Sequence, residues 1–269
     1  MNRITTLFNN KKKNILSVFF TAGASKVNDT LEILEAAQNK GIDLVEVGIP
    51  FSDPMADGPT IQKSSTEALK NGMSLKTLFS QLEKLRKGNV LENGQSSGRN
   101  LNIPVILMGY LNPILQYGIE EFCIKAHECG VDGVIIPDLP FNEYMTTYKA
   151  LGKKYDLKFI MLITPETSEE RIKLIDDNTE GFIYMVSTAS TTGAKKEFNK
   201  KTNEYFERVN AMNLKNPRLI GFGISNKKTL DNAWANSSGA IIGSKFVSCL
   251  HNNSNISSAI DELFEDLKH

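Results

Sequence analysis

Two carboxylates open the chemistry of this chain. Glu46 lies in the short apolar run Ile42-Asp-Leu-Val-Glu-Val47. Asp57 ends the loop that follows, within Glu46-Val-Gly-Ile-Pro-Phe-Ser-Asp-Pro-Met-Ala-Asp-Gly-Pro-Thr-Ile-Gln62. A charge inside an apolar strand is expensive to bury, so it needs a reason. Two acids held by one strand-to-loop unit suit general acid/base chemistry. The plainer alternative is a solvated edge glutamate and a turn-capping aspartate, and these two positions alone do not separate the readings.

The elements that must hold these acids follow from local patterning. The stretch begins as a strand after Gly41 and ends as a helix, because Pro59 suits a first helical turn and Thr60–Leu69 continues it. Pro50, Pro54 and Gly58 keep the middle irregular. Further strands are predicted at Ser17–Thr21, Ile103–Met108, Asp132–Ile136, Leu157–Ile163, Gly181–Val186, Arg218–Gly221 and Gly239–Ile242. Helical spacing lies between them, at Leu31–Ala37, from Ser74 to Lys87, at Glu120–Cys129 and at about Ile256 to Leu267. Thr167-Ser-Glu-Glu170 has capping-box spacing. Eight short apolar strands with helices between them argue a single (β/α)8 barrel over residues 1–269, with a short N-terminal helix; an open doubly wound sheet is the alternative. In a barrel, active residues sit at the carboxyl ends of strands, where Glu46 and Asp57 fall. Residues 88–102 are rich in Gly, Ser and Asn and read as a polar surface insertion without chemistry.

Composition narrows the function classes. Lys+Arg and Asp+Glu balance at 31 each, so nothing suggests nucleic acid or an anionic membrane. Three cysteines, none in a CxxC pair, point to buried thiols in a reducing cytoplasm. The three histidines do not cluster at metal spacing, and no metal site is expected. Met1 to Lys13 reads as an amphipathic helix with a lysine run, not a signal peptide, and no apolar stretch is long enough for a membrane span.

Three glycine sites follow the last three strands: Ser187–Ala194, Gly221-Phe-Gly-Ile-Ser225 and Ile242-Gly-Ser244. Glycine permits close backbone approach, and Ser244 would open a helix whose amides face outward, as in a barrel phosphate site. The Ser/Thr-rich segment Ser187–Lys196 is long enough to close over a ligand, with Thr192 placed to bond Asp57; a plain surface loop is the other reading.

Taken together, these residues resemble the tryptophan synthase alpha subunit family. The likeness runs from Phe19-Phe-Thr-Ala-Gly23 to Ile242-Gly-Ser-Lys-Phe246, and its most specific element is Glu46–Gln62. Met108-Gly-Tyr-Leu-Asn-Pro113, Gly130–Pro140 and Gly221–Ser225 add to it. The resemblance implies retro-aldol cleavage of indole-3-glycerol phosphate to indole and glyceraldehyde 3-phosphate, with indole passed to a beta subunit in an alpha2beta2 heterotetramer. It implies no cofactor in this chain and pyridoxal phosphate in the beta partner. By the same resemblance Glu46 and Asp57 match the catalytic carboxylates. Phe19, Tyr110, Tyr184, Thr192 and Phe222 match substrate-pocket positions, and Gly193, Gly223, Gly243 and Ser244 match the phosphate site. Asp53 and Pro54, with the Asn112-Pro113 region, would face the beta partner. Two departures stand out. Loop six carries Ser190-Thr-Thr-Gly193 where the family usually has Gly-Val-Thr-Gly, and the 88–102 link is longer than usual. A stand-alone indole-releasing lyase and a weakly catalytic activating subunit are the competing readings.

Overall fold

The structure, a computed structural model, describes residues 1–86, 101–187 and 197–268. Its first half runs α1 (Arg3–Asn10), β1 (Ile15–Thr21), α2 (Thr30–Asn39), β2 (Leu44–Gly48), α3 (Pro59–Lys70), α4 (Leu75–Leu82), β3 (Val105–Met108), α5 (Leu111–Tyr117), α6 (Ile119–Glu128) and β4 (Gly133–Ile135). Next come α7 (Phe141–Glu143), a π-helical turn over Tyr144–Tyr148 and α8 (Lys149–Lys154). The second half continues with β5 (Lys158–Ile163), α9 (Glu169–Asn178), β6 (Ile183–Val186), α10 (Lys200–Ala211), β7 (Arg218–Gly221), α11 (Lys227–Asn236), β8 (Gly239–Ile242), α12 (Ser244–Asn252) and α13 (Ile256–Asp266).

Among the described residues the strands close in sequence order into a parallel barrel. Pairing of Ile15–Val18 on β1 with Gly239–Ile242 on β8 seals it and rules out the open sheet. Side chains alternate as a closed barrel requires. Leu16, Val18 and Phe20 pack outward under the helices, while Ile15, Leu44, Ile106, Ile135, Ile160, Phe182 and Leu219 fill the axis. Each helix buries the stripe facing the sheet; α3, for example, buries Ile61, Ser64, Ser65 and Ala68.

α1 is the stopper of the amino-terminal end. The Asn2 side chain accepts from the Ile4 amide and donates to the carbonyls of Asp132 and Asp156. Ile4 and Phe8 thereby enter the axial cluster, with the Phe8 and Phe182 rings 5.8 Å apart. Asp132, 2% exposed, gathers the same end together. It accepts from Arg3 at 2.8 Å, from Arg86 at 2.9 Å and from the Val105 amide at 2.9 Å. Arg86 also donates to the carbonyls of Gly130, Leu101 and Ile103.

Three local expectations shift. α4 stops at Leu82 instead of Lys87, because Leu85 turns into the core and Arg86 reaches for Asp132. The cap of α9 is Ser168, which accepts from the Arg171 amide; Thr167 instead accepts from the Thr164 amide. Of the insertion expected at 88–102, residues 88–100 lie outside the described residues. Leu101 is buried, and the Asn102 amide donates to Gln38.

Candidate active site

Glu46 sits on β2 with its side chain on the barrel axis, opposite Phe19 of β1 in register, and it is 0% exposed. Ser17 on β1 donates to its Oε1 at 3.3 Å, and Oε2 has no hydrogen-bond partner among the described residues. Burial without a cation pushes its carboxyl up to about 8, only partly offset by the Ser17 hydroxyl. Near neutral pH the fully buried group therefore holds its proton, ready to give it away.

Asp57 is brought in by the loop between β2 and α3. Its amide donates to the Pro54 carbonyl, and Gln62 from α3 donates to the Asp57 carbonyl at 2.9 Å. Pro59 then opens α3 without needing a hydrogen-bond acceptor. Tyr110, after β3, is the pin of this loop. Its phenol accepts from the Ala56 amide at 2.9 Å and donates to Asp57 Oδ2 at 3.1 Å, and its ring lies 5.3 Å from that of Phe51. Partial burial raises the Asp57 carboxyl to about 6, with the Tyr110 bond acting in the opposite direction.

Tyr184 of β6 is buried beside both acids. Burial first, then the Glu46 and Asp57 charges, keep its phenol protonated well beyond the ordinary range. Its ring meets Phe222 edge-on at 6.1 Å. A small cleft bounded by Phe19, Gly48, Asp57, Met108 and Tyr110 opens beside these groups. A larger cavity lies elsewhere, between α3 and α12 behind β1, away from Glu46 and Tyr184.

Phe222 and Gly223 both take left-handed backbone, φ 68° and 79°, and the Ser187 hydroxyl holds the Phe222 carbonyl at 2.6 Å. A β-carbon tolerates that region poorly, so Phe222 is held there by its surroundings. Gly243 caps α12, whose first turn begins at Ser244. The free amides of that turn and the turned β7 loop make an anion-friendly rim. Asp53 is exposed and Pro54 half-buried in the outer part of the Asp57 loop, with Ser52 donating to Asp53. The structure thus gathers Glu46, Asp57, Phe19, Tyr110, Tyr184, Phe222, Gly223, Gly243 and Ser244 at or near the carboxyl ends of the strands. Thr192 and Gly193, and with them the expected lid, lie outside the described residues.

Two kinds of supporting residue escaped sequence reasoning. Gly48 makes room for the Phe19 ring, from which a β-carbon would stand 2.5 Å, and Gly221, read from sequence only as part of a glycine site, makes room for the Tyr184 hydroxyl, from which a β-carbon would stand 2.3 Å. Ser17 was legible only as a strand residue; its polar position between the inward-facing Ile15 and Phe19 was the available signal. Among the described residues, one possible metal-ligating group, Cys249, Glu262 and Asp266, lies between α12 and α13. Its members already engage Lys245, Asn253 and one another.

A family model described as tryptophan synthase alpha chain matches residues 6–268. The chain belongs to the tryptophan synthase alpha chain family. Tryptophan synthase alpha chains of Parabacteroides distasonis and Phocaeicola vulgatus are 60% and 54% identical to it, each over 100% of both chains. The solved tryptophan synthase A-subunit of Pyrococcus furiosus is 31% identical, with a TM-score of 0.83 over 96% of this chain and 99% of that one. Members of the tryptophan synthase alpha chain family catalyse the lyase cleavage of indole-3-glycerol phosphate in tryptophan biosynthesis, and they carry no cofactor of their own. No helix among the described residues is long and apolar enough to cross a membrane.

Proposed function

We propose that the Glu46–Asp57–Tyr184 constellation cleaves indole-3-glycerol phosphate, and that the released indole passes to a beta subunit carrying pyridoxal phosphate. The observation that carries this reading is a fully buried carboxyl on the barrel axis with one oxygen unpartnered. Neutral Glu46 gives its proton to indole C3, and positive charge builds on the ring nitrogen. Asp57 accepts a hydrogen bond from the indole N–H and stabilises that charge. The Glu46 carboxylate then takes the proton of the side-chain hydroxyl. The carbon–oxygen double bond of the aldehyde forms, the bond to C3 breaks, and its electrons restore the aromatic ring. One acid thus serves both transfers and ends as it began.

Phe19, Tyr110, Tyr184 and Phe222 line the indole side, while Gly223, Gly243 and Ser244 receive the phosphate through backbone amides; the roles expected of Thr192 and Gly193 fall outside the described residues. The beta partner docks on the outer loop at Asp53 and Pro54, extended by Asn112-Pro113 of α5. Two exposed apolar side chains support this surface, Met55 at 88% and Leu115 at 51%. We place the enzyme in a reducing cytoplasm, in keeping with three unpaired, buried thiols.

The test is indole release by the purified chain, alone and with a beta subunit. Slow release that rises strongly with the partner is expected. Fast release indifferent to the partner would make this a stand-alone lyase, and no release in either case would overturn the assignment of the acids. Met55→Ser should weaken stimulation by beta about tenfold while leaving the basal rate alone, as for an interface anchor. Unaltered stimulation would move the docking surface elsewhere.

The carboxyl environments also set a pH window. Activity needs Asp57 charged and Glu46 protonated, so kcat/KM should fall below about pH 6 and above about pH 8. Tyr110→Phe removes the bond that favours ionised Asp57, and the acidic limb should move upward. An acidic limb that stays put in that variant would detach it from Asp57.

A further inference from the structure

We propose that Ser17 is a positioning residue that divides the labour between the two oxygens of Glu46, occupying Oε1 so that Oε2 alone exchanges protons with the substrate. The inference rests on the reading of Glu46 as the proton carrier. It starts from the barrel's register. β1 and β2 run parallel with Ser17 opposite Leu44 and Phe19 opposite Glu46, so Ser17 lies one inward-facing step below the acid. From there its hydroxyl reaches Oε1 at 3.3 Å. The inward neighbours of Ser17 on its own strand are Ile15 and Phe19, and its paired position on β8 is Ile241. Both Ser17 and Glu46 are fully buried, and a hydroxyl placed among such side chains is costly unless it is bonded. The Glu46 carboxyl is the partner it has.

A neutral carboxylic acid has one carbonyl oxygen and one hydroxyl oxygen. A donor resting on Oε1 makes that oxygen the carbonyl and leaves the proton on Oε2, the oxygen with no partner among the described residues. Delivery to C3 and recovery from the hydroxyl then use the same oxygen, with no rotation of the carboxyl between steps. In the charged interval Ser17 supplies the acid's hydrogen bond. Tyr184 from β6 is the titratable group within electrostatic reach of Glu46, and it is also within reach of Asp57 from the β2–α3 loop. Both persist when Ser17 is changed, so a shift of the alkaline limb reports the lost hydroxyl.

The experiment compares Ser17→Ala and Ser17→Cys with the parent in complex with the beta subunit, using indole-3-glycerol phosphate across pH 5–10. Both variants should lose about tenfold in kcat with KM within twofold, because an oriented hydrogen bond to a charged group has gone. Their alkaline limb should rise by about one pH unit, since that bond favours the ionised acid. Cysteine keeps nearly the same volume with a much weaker donor, so it answers for any packing defect in the alanine variant. Glu46→Gln runs alongside. If it is inactive while both Ser17 variants keep the parental kcat and alkaline limb, Ser17 has no positioning role and the proton-carrier reading survives. If Glu46→Gln turns over normally, that reading itself falls.

Discussion

Glu46→Gln is expected to lower indole release about a thousandfold or more and, at the same time, to make the protein more resistant to alkaline unfolding. The first effect follows from removing both proton transfers from one side chain, where general acid/base catalysis is commonly worth 10²–10⁴. The second follows from burial. In the folded chain the Glu46 carboxyl is pushed up to about 8 from an ordinary value of 4.5. Between those two pH values the folded state holds a proton that the unfolded state has released, so stability falls as pH rises through the window. Above about pH 8 the charge is fully buried and the full penalty applies. Glutamine never ionises, so the variant should match the parent near pH 4 and exceed it at pH 9 by something on the order of a few kcal/mol. Urea unfolding at the two pH values separates the contributions. A variant that is inactive yet no more stable at pH 9 would mean that the acid is solvated in solution, which contradicts its complete burial.

Asp132→Ala should be the most damaging change away from the active site. It strips Arg86 of its charge partner at a place where that guanidinium is largely buried, and burial already lowers Arg86 to about 10. It also orphans the Val105 amide at the start of β3 and releases Arg3, which tethers the axial stopper. Removing one member of such a buried pair costs about 3–5 kcal/mol. A fall of roughly 10 °C in the first unfolding transition is expected. Asp132→Asn should be milder, since its amide oxygen still accepts from Val105. Equal losses in the two variants would show that the charge, not the acceptor, holds the strand.

How much of this was readable beforehand depends on whether a residue acts locally or across the barrel. The strand starts and the placement of Glu46 and Asp57 follow from patterns within a few residues, such as the apolar run before Glu46 and Pro59 at the head of α3. The family resemblance supplied the roles, which periodicity does not contain. Tyr110 was expected as a pocket wall, but its grip on Ala56 and Asp57 joins segments more than fifty residues apart, and no local pattern encodes that. The same holds for Gly221, whose missing β-carbon matters only because Tyr184 leans over from the neighbouring strand. The cap of α9 moved by one residue because Thr167 was taken by the preceding turn, leaving Ser168 for the helix.

Arg86 has one more implication, for the traffic of sequence through this fold. It donates to the carbonyls of Leu101 and Ile103, so the positions just before 87 and just after 100 are fastened to each other by the barrel's own chemistry. Closing a loop costs only slowly more as it lengthens, and here its ends are already joined. What is threaded between them need not contribute to that junction. With Arg86 holding Leu101 and Ile103, a change in the number of residues between 87 and 100 should leave that junction, and with it indole release, intact.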